Sequence, residues 1–293
     1  MAEFIRQLTL FEDMAAERQA MKVVNVSSVP KRSPFRYAGG KTWLIPTIRK
    51  WISINSQAHL IEPFCGGGIV SLSVAAENRV KRATMIEKDE DVAAAWITII
   101  NNPEWLSNRI KGFVMSKKNV IEVTTSEPES IYEHGFKTII RNRTNHGGIL
   151  AKGAGTIKNG ENGKGLSSRW YPETLAKRIM SISTYRDKLE FIKGDAFDFI
   201  NATYDKPNTY FFIDPPYTIA GKRLYTLSDV DHDEILKRVS ELKCHYLVTY
   251  DKSSYIMSLI EKYNLKWKSI PMQTTHLVTK EELLISDNFD WFC

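Results

Sequence analysis

Short apolar runs alternate with amphipathic stretches in two parts of the chain. Apolar runs bounded by turn residues are typical of buried strands, and apolar positions spaced three to four residues apart are typical of helices. The predicted elements are strands at His59–Ile61, Arg82–Ile86, Leu189–Ile192, Tyr210–Ile213 and Tyr246–Tyr250, a final edge strand at Glu281–Ser286, and helices at Trp43–Trp51, Ile69–Glu77, Asp91–Asn101 and Asp231–Leu242. Strands that alternate with helices predict the doubly wound α/β class, a parallel sheet with helices on both faces.

Two regions lie outside this rhythm. Residues 1–34 are set apart by Pro30, Pro34 and a Ser/Val-rich stretch, and we expect them to form a tail. Residues 106–188 lack the strand–helix alternation and contain a glycine-rich stretch, which indicates an insertion of helices and loops. The predicted core therefore consists of residues 35–105 and 189–293.

The positive charge of the chain is concentrated in this predicted insertion. The whole chain of 293 residues has a formal net charge of +6, whereas Lys137–Arg186 holds ten basic and two acidic residues, +10 − 2 = +8. Glycines and the aromatic pair Trp170-Tyr171 lie among them. A solvated surface could have the same pattern, but a flexible, basic, lightly aromatic segment suits a phosphate backbone. The segment favours nucleic acid as a partner.

The rest of the composition excludes several classes of protein. No apolar run is long enough to cross a bilayer and no signal-peptide pattern opens the chain, so we expect a cytoplasmic location and no membrane partner. Cys65, Cys244 and Cys293 are far apart, which argues against a disulfide framework and against structural zinc. No metal site is predicted.

The tetrapeptide Asp214-Pro215-Pro216-Tyr217 directly follows the apolar run at 210–213. The two prolines fix φ and end strand pairing, so the turn is rigid. The Asp214 carboxylate and the Pro215 carbonyl can both accept hydrogen bonds from an exocyclic amino group, and the Tyr217 ring can stack on a base outside its duplex. Alone, these residues could form a simple proline-rich turn. With the motifs that precede them, they predict a catalytic site for the amino group of a base.

A glycine turn and an acid mark the ends of the first two predicted strands. The segment EPFCGGG (residues 62–68) lies between strand and helix, where glycine lets the backbone pass close to a ligand. The dinucleotide pattern GxGxxG is incomplete because Ser71 occupies its last position. Glu87 ends the second strand, where nucleotide-binding sheets hold ribose hydroxyls. A solvated loop acid is the alternative for Glu87.

The segment GGKT (residues 39–42) imitates the end of a phosphate-binding Walker A loop. That loop needs a glycine at position 35, which is Phe35 here, so an ATP-binding loop is excluded. We expect either a plain turn at the start of a helix or a turn whose lysine approaches an anionic ligand.

Taken in order, these motifs resemble the Dam-type, alpha-group DNA adenine-N6 methyltransferases of the D12 class. The matching segments are RYAGGK (36–41), EPFCGGG (62–68), Glu87, GDAF (194–197), DPPY (214–217) and EELLIS (281–286). The resemblance covers about residues 35–293, although 106–188 match in position more than in motif. It implies a Rossmann-like methyltransferase sheet with an inserted, mostly helical and loop-built target-recognition domain. It also implies S-adenosylmethionine as methyl donor and a flipped-out adenine in double-stranded DNA as acceptor.

The resemblance assigns roles to individual residues. The implied catalytic residues are Asp214, Pro215, Pro216 and Tyr217, and the implied cofactor-binding residues are Tyr37, Gly40, Lys41, Phe64, Gly66, Gly68, Glu87, Asp195, Phe197 and Asp214. Lys41 would lie close to the cofactor carboxylate. Glu87 would bind the ribose hydroxyls, and Asp195 would bind the adenine amino group of the cofactor.

The recognition segment departs from the family. Its members usually have an RYN-type motif, whereas residues 141–145 read RNRTN here, so no target sequence is predicted. The expected DNA-contacting residues are Arg141, Arg143, Asn145, Lys164, Arg169 and Trp170. Several of them are expected to contact phosphates, which outnumber base contacts in most interfaces.

The tail contains the pentapeptide QLTLF at residues 7–11. It looks like the QL-x-LF peptide by which bacterial polymerases and repair proteins dock on the sliding clamp, with contacts from Gln7, Leu8, Leu10 and Phe11. One turn of an amphipathic helix that packs on the body is the alternative.

Three rival functions use similar sheets: an RNA or protein-glutamine methyltransferase, a binding domain without activity, and a dehydrogenase. The position of the insertion and RYAGGK ahead of the glycine turn favour DNA. The intact Asp214 disfavours an inactive domain, and the missing third glycine disfavours a dehydrogenase. We expect a monomer in a bacterial cell, with a restriction-modification system, a phage or another mobile element among the candidate origins.

Overall fold

The computed structural model describes residues 28–36, 39–54, 57–151, 153–160, 163–201, 206–217, 227, 229–273 and 279–292. The tail peptide at residues 7–11 and Tyr37 lie outside these described residues. Among the helices described, none combines the length and apolar character needed to cross a bilayer.

The strands form one mixed sheet. They are β1 His59–Glu62, β2 Arg82–Glu87, β3 Leu189–Lys193, β4 Thr209–Ile213, β5 His245–Asp251, β6 Trp267–Gln273 and β7 Thr279–Ser286. Their order across the sheet is β3-β2-β1-β4-β5-β7-β6. The first five strands pair in parallel, and β7 runs antiparallel to both of its neighbours. Because β1 lies beside both β2 and β4, the chain reverses its direction of progress there, and ligands bind at such a point in doubly wound sheets.

The helices of the described chain follow the same numbering. They are α1 Ile45–Trp51, α2 Ile69–Ala76, α3 Glu90–Asn101, α4 Pro103–Gly112, α5 Lys117–Thr125, α6 Ile131–Thr144, α7 Pro172–Ser183, α8 Ala196–Phe199, α9 His232–Glu241 and α10 Ser254–Lys262. Local chemistry sets several of their starts: the Asp89 side chain, for example, accepts the Asp91 and Val92 amides at the first turn of α3.

The sheet buries both of its faces. Successive strand residues point to opposite sides, so Leu60 joins one hydrophobic core and Ile61 the other. The core on the Ile61 side is formed with α8, α9 and α10. The core on the Leu60 side is formed with α1–α3 and continues into α4, α6 and α7 through residues such as Phe136 and Ile179. The doubly wound α/β prediction is therefore confirmed.

One predicted strand lies at a different position in the sheet than expected. Glu281–Ser286 was expected at the edge of the sheet, but β7 lies between β5 and β6. Its residues Leu283, Leu284 and Ile285 are all buried, as an interior strand requires. The edge strand on this side of the sheet is β6, which has no continuous apolar run and contains Pro271.

Candidate active site

A cavity of about 410 Å³ opens at the carboxyl ends of β1, β2 and β4. Its lining contains these residues singled out from the sequence: Gly40, Lys41, Phe64, Gly66, Gly68, Glu87, Asp195, Phe197, Asp214 and Pro216. The carboxyl ends of parallel strands share one edge of a sheet, which is why residues far apart in the chain meet here. The volume is in the range of pockets that hold ligands of cofactor size.

The glycine turn holds the carboxylate of Glu87. The Gly66 amide donates to Oε2 of Glu87 at 3.0 Å, and the Lys88 and Asp89 amides donate to Oε1 at 2.9 Å each. Burial raises the pKa of Glu87 to about 7, although these three amides favour the ionised form. The carboxylate is thus fixed in orientation at the end of β2.

Glu62 is a second acid of the cavity, and the sequence analysis gave it no role of its own. It ends β1, is buried, and accepts both the amide and the hydroxyl of Ser71. Burial raises its pKa to about 8, so Glu62 is largely protonated at neutral pH. An acid directly after an apolar strand and before the glycine turn was the available signal.

Asp195 stands at the start of α8, across the cavity from the glycine turn. Its Oδ1 accepts the Phe197 amide at 3.0 Å, and its Oδ2 receives Lys88 Nζ at 2.6 Å. Partial burial raises the pKa of Asp195, but the bonds from Lys88 and from the Phe197 amide outweigh it and the net pKa is lowered. Asp195 is therefore an ionised acceptor on the cavity wall.

Asp214 is held by two donors at the end of β4. Its Oδ1 accepts the Thr249 hydroxyl at 2.7 Å and lies 2.9 Å from Lys41 Nζ. The sequence analysis expected Lys41 at the cofactor carboxylate, and here its ammonium group also lies 3.3 Å from Oε1 of Glu282. Thr249 lies on β5 and Glu282 on β7, and neither was predicted as a site residue.

Glu282 connects Lys41 to the last residue of the tetrapeptide. It is 2% exposed and accepts the Tyr217 hydroxyl. Burial raises the pKa of Glu282, and neighbouring Lys41 opposes that shift. Lys41 Nζ also lies 4.9 Å from the centroid of the Tyr217 ring, within range of a cation–π contact. Two acids, one lysine and one tyrosine thus form a single buried network.

The predicted DNA contacts separate into two groups. Arg141, Arg143 and Asn145 bond inside the protein, and Trp170 packs against the Phe113 ring with centroids 5.8 Å apart. Lys164 is exposed, and Arg169 is half-buried at the end of a short 3-10 helix.

Burial is strongest at Arg143, which is 8% exposed and donates to the Pro34 carbonyl. Desolvation lowers its pKa to about 9, with further contributions from Arg178 and Arg36. A buried, internally bonded side chain has no route to a base or phosphate, so this placement argues against the predicted DNA contact of Arg143.

Cys65 and Cys244 are both buried, and neither is part of a disulfide. Within the described ranges, no three His, Cys, Asp or Glu side chains come together as metal ligands.

The sheet order and the motif residues gathered at its carboxyl edge define a Rossmann-like methyltransferase fold with a cavity at that edge. The family model for D12 class N6 adenine-specific DNA methyltransferases matches residues 37–274, and the chain belongs to this family. It therefore transfers the methyl group of S-adenosylmethionine to the N6 atom of adenine in DNA. A comparison with curated protein sequences found no match.

Solved structures of other methyltransferases resemble this chain with low sequence identities and low TM-scores. The rRNA methyltransferase AviRa from Streptomyces viridochromogenes is 12% identical over 90% of this chain and 94% of its own, with a TM-score of 0.40. TrmK of M. capricolum, solved with S-adenosyl-homocysteine, is 9% identical over 84% and 67%, with a TM-score of 0.36. A methyltransferase from Geobacter sulfurreducens is 12% identical over 95% and 86%, with a TM-score of 0.37. Such values do not bear on the substrate.

Proposed function

We propose that the protein methylates an adenine that it has rotated out of duplex DNA, and that Asp214–Tyr217 receives this base. The observation that carries the proposal is the fixed carboxylate of Asp214 beside the cavity, held at 2.7 Å by Thr249 and at 2.9 Å by Lys41. A base inside a duplex cannot bring its amino group to such a recessed acceptor, so extrusion is required.

The cavity fits S-adenosylmethionine by the chemistry of its walls. The carboxylates of Glu87 and Asp195 supply acceptors for ribose hydroxyls and for an adenine amino group, and Phe64 and Phe197 supply apolar surface. When bound there, the cofactor supplies an electrophilic methyl group on a sulfonium centre. The protein needs to bind it, exclude water and align the acceptor nitrogen.

Asp214 and the Pro215 carbonyl would accept the two N–H bonds of adenine N6. Thr249 and Lys41 both contact Oδ1 of Asp214, so we assign Oδ2 as the oxygen that accepts the incoming amino group. Acceptance of both N–H bonds draws the nitrogen lone pair out of conjugation with the ring and towards the methyl group. The new N–C bond would form as the S–C bond breaks with its electron pair left on sulfur, and N6 then loses one proton to water. The negative charge of Asp214 stabilises the positive charge that develops on the nitrogen.

The test of this function is methyl transfer to unmethylated genomic DNA, followed by single-molecule sequencing of modified adenines. The wild-type protein should modify adenines within one sequence motif. Asp214→Ala should abolish transfer while it binds S-adenosylhomocysteine, the cofactor product, with nearly unchanged affinity. Near-normal turnover by Asp214→Ala would rule out the mechanism. Transfer to RNA or protein instead of DNA would rule out the substrate.

The DNA side of the proposal rests on the predicted recognition segment, residues 106–188. Within it, exposed Lys164 and half-buried Arg169 are proposed as phosphate contacts. Replacing Lys164 with Ala should weaken binding equally for all DNA sequences and lower the salt dependence by about one phosphate contact. We propose a monomer, which sedimentation in solution would test.

We also propose that Gln7, Leu8, Leu10 and Phe11 dock on a bacterial sliding clamp. The support is the match of residues 7–11 to the clamp peptide and its place near one end of the chain. This partner, like the DNA, would place the protein in the bacterial cytoplasm. The double variant Leu10→Ala/Phe11→Ala should lose clamp binding and still methylate a short duplex at the wild-type rate; retained clamp binding would exclude the docking peptide.

A further inference from the structure

Three polar side chains at the end of α6 turn towards the cofactor cavity. Arg141 Nη2 donates to the carbonyl of Leu150, Asn142 Nδ2 to that of Gly148, and Asn145 Nδ2 to that of Ile149, each at 2.8 Å. Residues 148–150, here called the lip, all line the cavity. Each carbonyl of the lip is thus fixed by a separate side chain of one short stretch, residues 141–145.

Two of these side chains also bond to residues adjacent to the cavity lining, Arg36 beside Phe35 and Asp91 beside Val92. Asn142 accepts the Arg36 amide at 2.9 Å and donates to the Arg36 carbonyl at 2.9 Å, so it pairs with that backbone on both sides. Arg141 also forms an ion pair with Asp91 in the first turn of α3. The carboxylate of Asp91 additionally lies 2.7 Å from His134 Nε2. The lip is therefore fastened to the segment before Lys41 and to α3.

The contact between the lip and residue 36 is too close for any side chain at position 148. A Cβ on Gly148 would lie 2.3 Å from the Arg36 carbonyl oxygen, and its φ of +77° is unfavourable for other residues. Asn142 beside it is fully buried. This packing leaves no room for Asn142 to turn out to a DNA groove.

Backbone hydrogen bonds also hold the loop that contains the lip, and they do not involve the more distant basic side chains. His146 N donates to the Gly155 carbonyl at 3.0 Å, and Ile157 N donates to the Thr144 carbonyl at 2.8 Å. These bonds close the loop at its base, next to the end of α6. The position of the lip should therefore not depend on bound DNA.

We infer that Arg141, Asn142 and Asn145 are positioning residues of the cofactor pocket, which act through the lip, rather than DNA contacts. The inference rests on the proposed function in one respect, that this cavity binds the cofactor. It reassigns Arg141 and Asn145, which the charge and motif pattern had placed on DNA. It also explains why an uncharged Asn142 stands between two arginines.

Arg141→Lys is the sharpest test. Lysine keeps the positive charge but not the planar fork, so it cannot bridge Asp91 and the Leu150 carbonyl together. Without DNA, we expect S-adenosylhomocysteine to bind about tenfold more weakly, the effect of one lost hydrogen bond of ordinary strength. In turnover, KM for S-adenosylmethionine should rise by a similar factor while kcat at saturation stays near wild type. Calorimetry and steady-state methyl transfer measure both.

Lys137→Ala is the matched control, because Lys137 is on the same helix and donates to Ser126 instead of the lip. It removes a charge and should leave cofactor affinity unchanged. Gly148→Ala should displace the lip from the other side and repeat the loss of affinity. Thermal unfolding of each variant separates these effects from a general loss of stability.

The outcomes distinguish a failure of this inference from a failure of the proposed function. If Arg141→Lys kept its cofactor affinity but bound DNA more weakly, Arg141 would be a DNA contact and the inference would be wrong. In the same experiment Glu87→Ala should weaken cofactor binding strongly. If Glu87→Ala had no effect, the cavity would not be the cofactor site, and both the inference and the proposed pocket would fail.

Discussion

The bond from Thr249 to Asp214 offers a clean test of how the catalytic carboxylate is oriented. Thr249 is fully buried on β5, and its hydroxyl donates to Oδ1 of Asp214 at 2.7 Å. Thr249→Val replaces that hydroxyl with a methyl group and keeps the branched shape that suits a strand. The substitution therefore removes the donor to Asp214 and the bond of the same hydroxyl to Tyr217, with little change of shape.

The magnitude follows from the charge of the acceptor. A hydrogen bond to an ionised group contributes about 1.5–3 kcal/mol, twice the usual value. If Asp214 needs this bond to meet the adenine amino group, the barrier rises by up to this amount and kcat falls about 10- to 100-fold. Lys41 still holds the same oxygen, which favours the lower end of the range. Cofactor affinity should not change, because Thr249 does not line the cavity.

Thr84→Val is the control, because Thr84 makes the same kind of bond elsewhere. It is buried on β2 and donates to Oε2 of Glu190 at 2.8 Å, away from the cavity lining. Single-turnover methyl transfer to a duplex, with calorimetric binding of S-adenosylhomocysteine, compares the two variants. Both should lose about 1.5–3 kcal/mol of unfolding free energy, because both bonds go to a carboxylate. A Thr249→Val rate within twofold of Thr84→Val would refute the orienting role.

Further predictions concern the neighbouring residues. Glu282→Gln keeps an acceptor for the Tyr217 hydroxyl but removes the charge that faces Lys41, so single-turnover methyl transfer should slow about tenfold with unchanged cofactor binding. Because burial raises the pKa of Glu87 to about 7, the fraction of Glu87 in the ionised form, which accepts hydrogen bonds, increases with pH. The affinity for S-adenosylhomocysteine, measured by calorimetry, should therefore rise about tenfold from pH 6 to 8. Glu87→Gln should show no such rise. Gly68→Ala, whose Cβ would lie 2.8 Å from the Trp96 ring at a φ of +60°, should lose about 2–4 kcal/mol of stability in urea unfolding; a loss below 1 kcal/mol would show that the turn can relax.

The parallel part of the fold could be predicted because buried parallel strands are nearly continuous apolar runs. The runs at β1, β2, β4 and β5 are of this kind, and their ends carry the turn chemistry of the site. The same criterion misses β6, which is half polar and bonds only to β7. Because β6 was not predicted, no strand was expected on the outer side of β7, and β7 was therefore placed at the edge of the sheet.

The site divides in a similar way. Residues that end parallel strands, such as Glu87 and Asp214, could be predicted as neighbours because all such ends meet at one edge. Their partners could not, because Thr249 and Glu282 come from other strands and are brought there by the register of β5 and β7. The sequence around an interior threonine or glutamate does not indicate which residue its side chain will bond to in the fold.

The internal bonds of Arg141 and Arg143 could not be predicted from net charge, for another physical reason. A guanidinium group has five donors and can bond to backbone carbonyls as readily as to phosphates. Arg141 and Arg143 bond to the carbonyls of Leu150 and Pro34, and only the folded chain reveals those acceptors. The net charge of a segment predicts the class of its partner better than it predicts which residue touches it.

The position of Lys41 follows from the charges around it. Its side chain is 5% exposed, and its ammonium group lies between the carboxylates of Asp214 and Glu282. Moving it to the carboxylate of a bound cofactor would leave partly exposed Asp214 and buried Glu282 with hydroxyl donors, from Thr249 and Tyr217, but without a cation. Removing one partner of a buried ion pair costs about 3–5 kcal/mol. Proximity of Asp214 also raises the pKa of Glu282, so loss of the lysine would favour protonation of Glu282. We therefore expect Lys41 to stay with Asp214 throughout catalysis, which makes the lysine part of the machinery that holds the target base rather than part of the cofactor site.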